Sequence, residues 1–170
     1  MLEYRLPTPG DKAMLRSYLA ECSENGEHNV MLAQDLLVED YAAWLELIHT
    51  NANEGSADWG RSLFLLCEDG GETIGILCIR HELSKELAAI YGNIGYAVLP
   101  SKRNRGYATQ MLQHALDVCR DAGLESVTLG CYQDNAASIA VIQKCGGVLV
   151  AENDNYIEGR MSQYYAIRLV

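Results

Sequence analysis

The run Ile94-Gly-Tyr-Ala-Val-Leu-Pro-Ser-Lys-Arg-Asn-Arg-Gly-Tyr-Ala108, followed at once by Thr109-Gln-Met-Leu-Gln-His-Ala-Leu116, decides how this chain folds. An apolar strand ends at Pro100, a short loop carries Lys102, Arg103 and Arg105, and a helix opens behind it. Ala108, Met111, Leu112, Ala115, Leu116 and Cys119 fall at i, i+3, i+4, i+7, i+8 and i+11, the repeat of a helix buried along one side. The first amides of such a helix lack partners within it, and its aligned peptide dipoles leave partial positive charge there. No Ser, Thr or Asp stands immediately before Gly106 to satisfy them, while Gly106 and the small Ala108 let a ligand approach the backbone. A phosphate group suits that position. The structural alternative is an ordinary cap at Asn104 and a solvated basic loop.

Upstream, Glu3 to Leu6 predicts a short strand that Pro7-Thr-Pro-Gly10 breaks. A helix follows from about Asp11, with Ala13, Met14, Tyr18 and Leu19 turned inward, and Ser23 to His28 reads as a loop. Val38 to Asn51 has the next helical repeat, Tyr41, Trp44, Leu45 and Ile48, and Asn51 to Gly60 reads as a mobile loop. Leu63 to Cys67 and Thr73 to Ile79 flank Glu68-Asp-Gly-Gly-Glu72 as a hairpin, and Ala88 to Val98 is expected to add a third antiparallel strand.

Downstream, Asp121-Ala-Gly123 stops the long helix and Ser126 to Cys131 forms a strand. Strand, helix and strand at this spacing predict a parallel crossover with the basic loop at its first turn. Asp134 or Asn135 caps a further helix to Cys145, with Ile139, Ile142 and Cys145 inward and Gly146-Gly147 as its stop. Val148 to Ala151 and Gln163 to Val170 close the chain as two strands.

The 170 residues, 49% of them hydrophobic, suit one domain covering 1–170. A net charge of −10 and an isoelectric point near 4.8 disfavour nucleic-acid binding and would attract a cationic partner. No run reaches the roughly 18 apolar residues of a membrane span, and Met1-Leu-Glu-Tyr-Arg-Leu6 lacks a signal-peptide core, so a soluble cytoplasmic protein is expected. Six scattered cysteines without a Cys-x-x-Cys pair read as reduced thiols, with no metal site.

Arg103-x-x-Gly106-x-Ala108 after a strand ending Val98-x-Pro100 resembles the coenzyme A signature of the GCN5-related N-acetyltransferases (GNAT), and the element order resembles that family over nearly the whole chain. The resemblance implies the acyl-CoA N-acyltransferase fold: an α/β (α+β) protein with a mixed central sheet of about seven strands, helices on both faces, and a splay between the fourth and fifth strands. It implies acetyl-CoA as donor, with backbone groups of Tyr96, Ala97 and Val98 along the pantetheine. The amides of Asn104, Arg105, Gly106, Tyr107, Ala108 and Thr109, behind Arg103, would surround the pyrophosphate. Asn135 matches the asparagine of the second family signature, with Ser138 one turn later. Two positions depart from the pattern. Ile142 stands where many members carry the tyrosine that protonates the departing thiolate, and Gly147 replaces a common aromatic.

An alkyl amine of pKa about 10.4 costs about 4.6 kcal/mol to present as the free base at pH 7, so a base or water relay has a definite task. His81, beside Glu82, is a candidate base, and Tyr164 or Tyr165 a candidate acid, since alternate strand residues face opposite sides. A backbone amide near Val98 suits the oxyanion, and Cys131 reads as structural rather than nucleophilic. The expected reaction is transfer of an acetyl group to the primary amine of a small molecule or peptide by a monomer or homodimer. The competing reading is a coenzyme A binding or sensing module with little turnover. A nucleotide-binding domain fits less well, because the loop lacks the Gly-Lys-Ser/Thr end of a P-loop and the third glycine of a dinucleotide fingerprint.

Overall fold

A computed structural model describes residues 1–28 and 40–170. Strands β1 (Glu3–Arg5), β2 (Leu63–Asp69), β3 (Glu72–Ile79) and β4 (Ile94–Val98) form one antiparallel sheet in that order. The β2–β3 hairpin turns on Gly70 and Gly71, both at positive φ, 60° and 81°, which matches the twist of paired strands. Strands β5 (Ser126–Tyr132), β6 (Val148–Ile157) and β7 (Arg160–Arg168) form a second sheet with β7 in its centre.

Period-two alternation along β2 supplies two cores. Phe64 and Leu66, with Ile76 of β3, pack against α1 (Lys12–Glu24) and α2 (Tyr41–Asn53), where Trp44 meets Phe64 edge-on at 5.3 Å. Leu65, with Leu77 and Ile79, packs against α4 (Tyr107–Asp121) through Met111, Leu112 and Ala115. Ile142 of α5 (Ala136–Lys144) joins the second core. The long helix ends as its glycine predicts: Gly123 N–H donates to Arg120 and Leu124 N–H to Cys119, a paired closure that uses the positive φ of Gly123.

Several sequence expectations are corrected. Ala88 to Val98 is not one strand: Lys85–Tyr91 is a helix, α3, and only Ile94–Val98 is extended. The Ser84 hydroxyl caps it by accepting from Leu87 N–H, and Gly92, at φ 72°, stops it, so local capping outweighs the apolar run. In α1, Ala13 is exposed and Met14 only half-buried, while Leu15, Tyr18, Leu19 and Cys22 are buried. Helix α2 continues to Asn53 and its expected first residues, Val38 and Glu39, lie outside the described residues. β6 and β7 run longer than expected because each continues pairing with the other through the polar stretch beyond Ala151. All six cysteines are free. No helix among the described residues is long and apolar enough to cross a membrane.

The expected parallel crossover is not a continuous ladder. β4 and β5 lie in different sheets and are joined at Asn93, just before β4. Asn93 N–H donates to Thr128 O at 2.6 Å, its Oδ1 accepts from Thr128 N–H at 2.8 Å, and its Nδ2 donates to Arg80 O at 3.2 Å. Asn93 is 5% exposed. Asn93→Ala removes the side-chain partner of the Thr128 N–H and of the Arg80 carbonyl, both half-buried, and is expected to lower stability by about 1 to 3 kcal/mol. Denaturant titration checks this, and an unchanged midpoint would remove Asn93 from its bracketing role.

Candidate active site

Above Asn93 the two sheets part. The bonds Arg80 N–H to Asn93 O and Leu99 N–H to Ile74 O mark the odd-numbered positions of β4 as those paired to β3. In an antiparallel ladder the intervening residues direct their N–H and C=O the other way, so Tyr96 and Val98 offer main-chain groups to the gap. Ala97 does not: its backbone belongs to the β3 ladder, and its carbonyl also accepts the Tyr18 hydroxyl at 2.9 Å. The carbonyl of Val98 takes Arg103 Nε–H at 3.0 Å, which leaves the Val98 amide for a ligand.

The loop after β4 makes a cradle of amides. Gly106 is the cap residue of α4, at φ 78°, with no side-chain cap, and a Cβ built on it would meet nothing within 4 Å. Gly106 O accepts from Gln110 N–H, the first turn's own bond, so the amides of Tyr107, Ala108 and Thr109 lie ahead of the helical ladder. Asn104, at φ 61°, is left-handed as well. These residues fit a pyrophosphate.

The basic side chains of the loop are mostly committed elsewhere. Arg103 forks onto Glu27 at 2.6 and 2.7 Å, which raises the arginine pKa and lowers that of the carboxyl. Lys102 pairs with Glu72 at 2.7 Å. Arg105 is exposed and forms no ion pair with the described residues. Ser101 N–H donates to Glu21, and the Tyr107 hydroxyl to Asp69 at 2.7 Å, so α1 and the β2–β3 turn both brace the loop.

Between β4 and β5 lies a cleft of about 660 Å³. Tyr96, Asn135, Ser138, Ile142 and Tyr164 line it, which brings together residues from β4, α5 and β7. The Tyr96 hydroxyl lies 3.0 Å from Ser138 Oγ, and burial pushes its pKa up to about 12 against the opposing effect of that hydrogen bond. Ser138 sits one turn before Ile142, so a phenol from β4 reaches the α5 face on which the family tyrosine is missing. The side chain of Tyr96 was not singled out from the sequence. The signal was its alternation with Ile94 and Val98, which places it on the face toward α4 and α5. Asn135 Oδ1 accepts from Ser138 N–H at 3.1 Å and caps α5, and the residue lines the cleft at the helix start.

The candidate acid and base fall differently. Tyr164 borders the cleft but donates its hydroxyl to Ile90 O at 3.0 Å; Gly130 gives its ring room, since a Cβ there would lie 3.0 Å from Tyr164 Cε1. Tyr165 packs into the α4 core on the opposite face. His81 is not among the cleft-lining residues; its Nδ1 is buried without a partner among the described residues, and burial lowers its pKa. Burial raises the Cys131 thiol pKa, which disfavours a thiolate nucleophile.

The same fold recurs in solved structures. Mycobacterium smegmatis RimJ in complex with CoA-disulfide is 22% identical, with 98% of this chain and 81% of that one covered at a TM-score of 0.77. Salmonella typhimurium yncA with its cofactor acetyl-CoA is 16% identical, with 99% and 94% covered at a TM-score of 0.67. A chimera of the Vibrio cholerae spermidine N-acetyltransferase SpeG is also 16% identical, with 99% and 95% covered at a TM-score of 0.69. A search among curated proteins gave no sequence match. The acetyltransferase (GNAT) family model matches residues 14–147, a span that takes in the amide cradle, both strands of the splay and the whole of α5. With the fold, the parted strands and the glycine-led loop in agreement with that match, this chain belongs to the GNAT acetyltransferase family.

Proposed function

We propose that the protein transfers an acetyl group from acetyl-CoA to the nitrogen of a primary amine within a ternary complex. The observation that carries this reading is the uncapped amide cradle at Gly106 beside a gap edged by the main chain of Tyr96 and Val98. The coenzyme A seen in RimJ and the acetyl-CoA seen in yncA support it. The amides of residues 106 to 109 would hold the pyrophosphate, and Asn135 Nδ2 and the Tyr96 and Val98 backbones the pantetheine. Bound acetyl-CoA supplies a thioester carbonyl carbon open to nucleophilic attack.

The amine nitrogen forms the new C–N bond, the C–S bond breaks, nitrogen loses a proton and sulfur gains one. The Val98 N–H suits the carbonyl oxygen as it gains charge. Tyr96 and Ser138 supply the hydroxyl pair nearest the vacated acid position. Tyr164 serves as a wall of the acceptor side, since its proton is committed to Ile90, and His81 lies outside the cleft lining. Thiol release measured with a panel of amines and peptides tests the reading. Acceptor-dependent release is the expected result, whereas acetyl-CoA binding with no release for any acceptor would favour a coenzyme A sensor.

A further inference from the structure

Besides the Tyr96–Ser138 pair, the cleft wall carries one cation and three exposed rings that the transfer chemistry leaves without a task. Arg80 follows β3, and its Nη1 donates to the carbonyls of Tyr91 and Gly92, at 3.5 and 3.2 Å, at the C-terminal end of α3. That contact is a structural role, since cations suit helix ends of this kind. It occupies only one of the guanidinium nitrogens. Nε and Nη2 have no acceptor among the described residues, and together they form an edge that can grip a carboxylate by two parallel hydrogen bonds.

The charge balance makes this position unusual. The chain has 23 acidic residues against 13 lysines and arginines, yet Arg80 is the single charged side chain among the described residues that line the cleft. Arg5, Arg61, Arg103 and Arg120 each hold a carboxylate. Beside Arg80, the rings of Trp59 and Tyr91 lie 4.8 Å apart, with Tyr156 6.1 Å from Tyr91, and these side chains are 37%, 40% and 43% exposed. Rings left to solvent in a cleft favour a flat apolar body that stacks on them. A polycation is disfavoured, because Arg80 repels it and the face of Tyr132 is already covered by Arg160 at 3.4 Å.

We propose that the acceptor is a small primary amine bearing an aromatic ring and a carboxylate, with the carboxylate on the Nε/Nη2 edge of Arg80 and the ring against Trp59 and Tyr91. This assignment rests on the acetyltransferase reading above and narrows it.

Thiol release is compared for phenylalanine and tryptophan, for their decarboxylated amines, and for spermidine. The amino acids are expected to exceed the decarboxylated amines in kcat/KM by about tenfold or more, the worth of a charge-assisted pair of hydrogen bonds. In Arg80→Gln that gap closes while KM for acetyl-CoA stays within about twofold of the parent. Preference for a decarboxylated amine or for spermidine overturns the assignment. Calorimetric titration of the amino acids into the coenzyme A-saturated parent protein supplies a readout that needs neither turnover nor a folded variant. No binding there and no thiol release overturns the proposal. Binding that competes with benzoate, without thiol release, keeps the carboxylate site and removes the transferase reading instead.

Discussion

Gly106→Trp is expected to weaken acetyl-CoA binding by at least about 100-fold, roughly 2.7 kcal/mol, while the protein stays folded. Residue 106 sits at φ 78°, so any L side chain there costs about 1 to 2 kcal/mol of backbone strain. For a chain of this size that is a fall in Tm of a few degrees. Apart from its chain neighbours, no atom of the described residues stands within 4 Å of the added Cβ, so the side chain leaves the backbone without a clash and is set against what the amides of Tyr107, Ala108 and Thr109 hold. Gly106→Ala carries the same strain with little bulk and separates the two effects. Affinity is read by calorimetry; a tryptophan variant that binds as tightly as the parent would show that the pyrophosphate lies elsewhere.

Tyr96→Phe should lower kcat by about 10- to 100-fold, with the acetyl-CoA affinity little changed. A phenol near pKa 12 is a poor outright acid toward a thiolate whose conjugate acid lies near 8.5. The difference is about 3.5 units, or about 5 kcal/mol uphill. In the proposed transfer Tyr96 would therefore act as a hydrogen-bond donor to charge building on sulfur, with the proton given up by the nitrogen passed through the Tyr96–Ser138 hydroxyls. Losing one charge-assisted hydrogen bond gives the stated range. The pH profile distinguishes this role from simple acid catalysis: the Phe variant should keep the parent's profile at lower amplitude. Parent-like kcat in the variant would leave solvent as the donor.

What could be read from the chain was local. The 3.6-residue repeat of α4, the Gly70-Gly71 turn and the glycine stops at Gly123 and Gly146 each depend on neighbours a few residues away, and the structure has each of them where the sequence puts it. The family motif then supplied the splay. Features that depend on distant partners were hidden. Arg103 read as part of a basic loop, but its fork meets Glu27, 76 residues earlier. The Tyr96 phenol takes its meaning from Ser138, 42 residues later. Helix α3 was missed for another reason: Ala88 to Val98 is apolar but for Asn93, without a period to separate helix from strand, and only Ser84 and Gly92 marked the boundary.

The two departures from the family pattern meet in space. A Cβ at Gly147 would lie 2.4 Å from Ile142 Cγ2 and 2.9 Å from Ile142 O, so a side chain at 147 would press on both the branch and the backbone of Ile142. Because two of the three short contacts are to the backbone of Ile142, a smaller residue at 142 would not by itself make room for a side chain at 147.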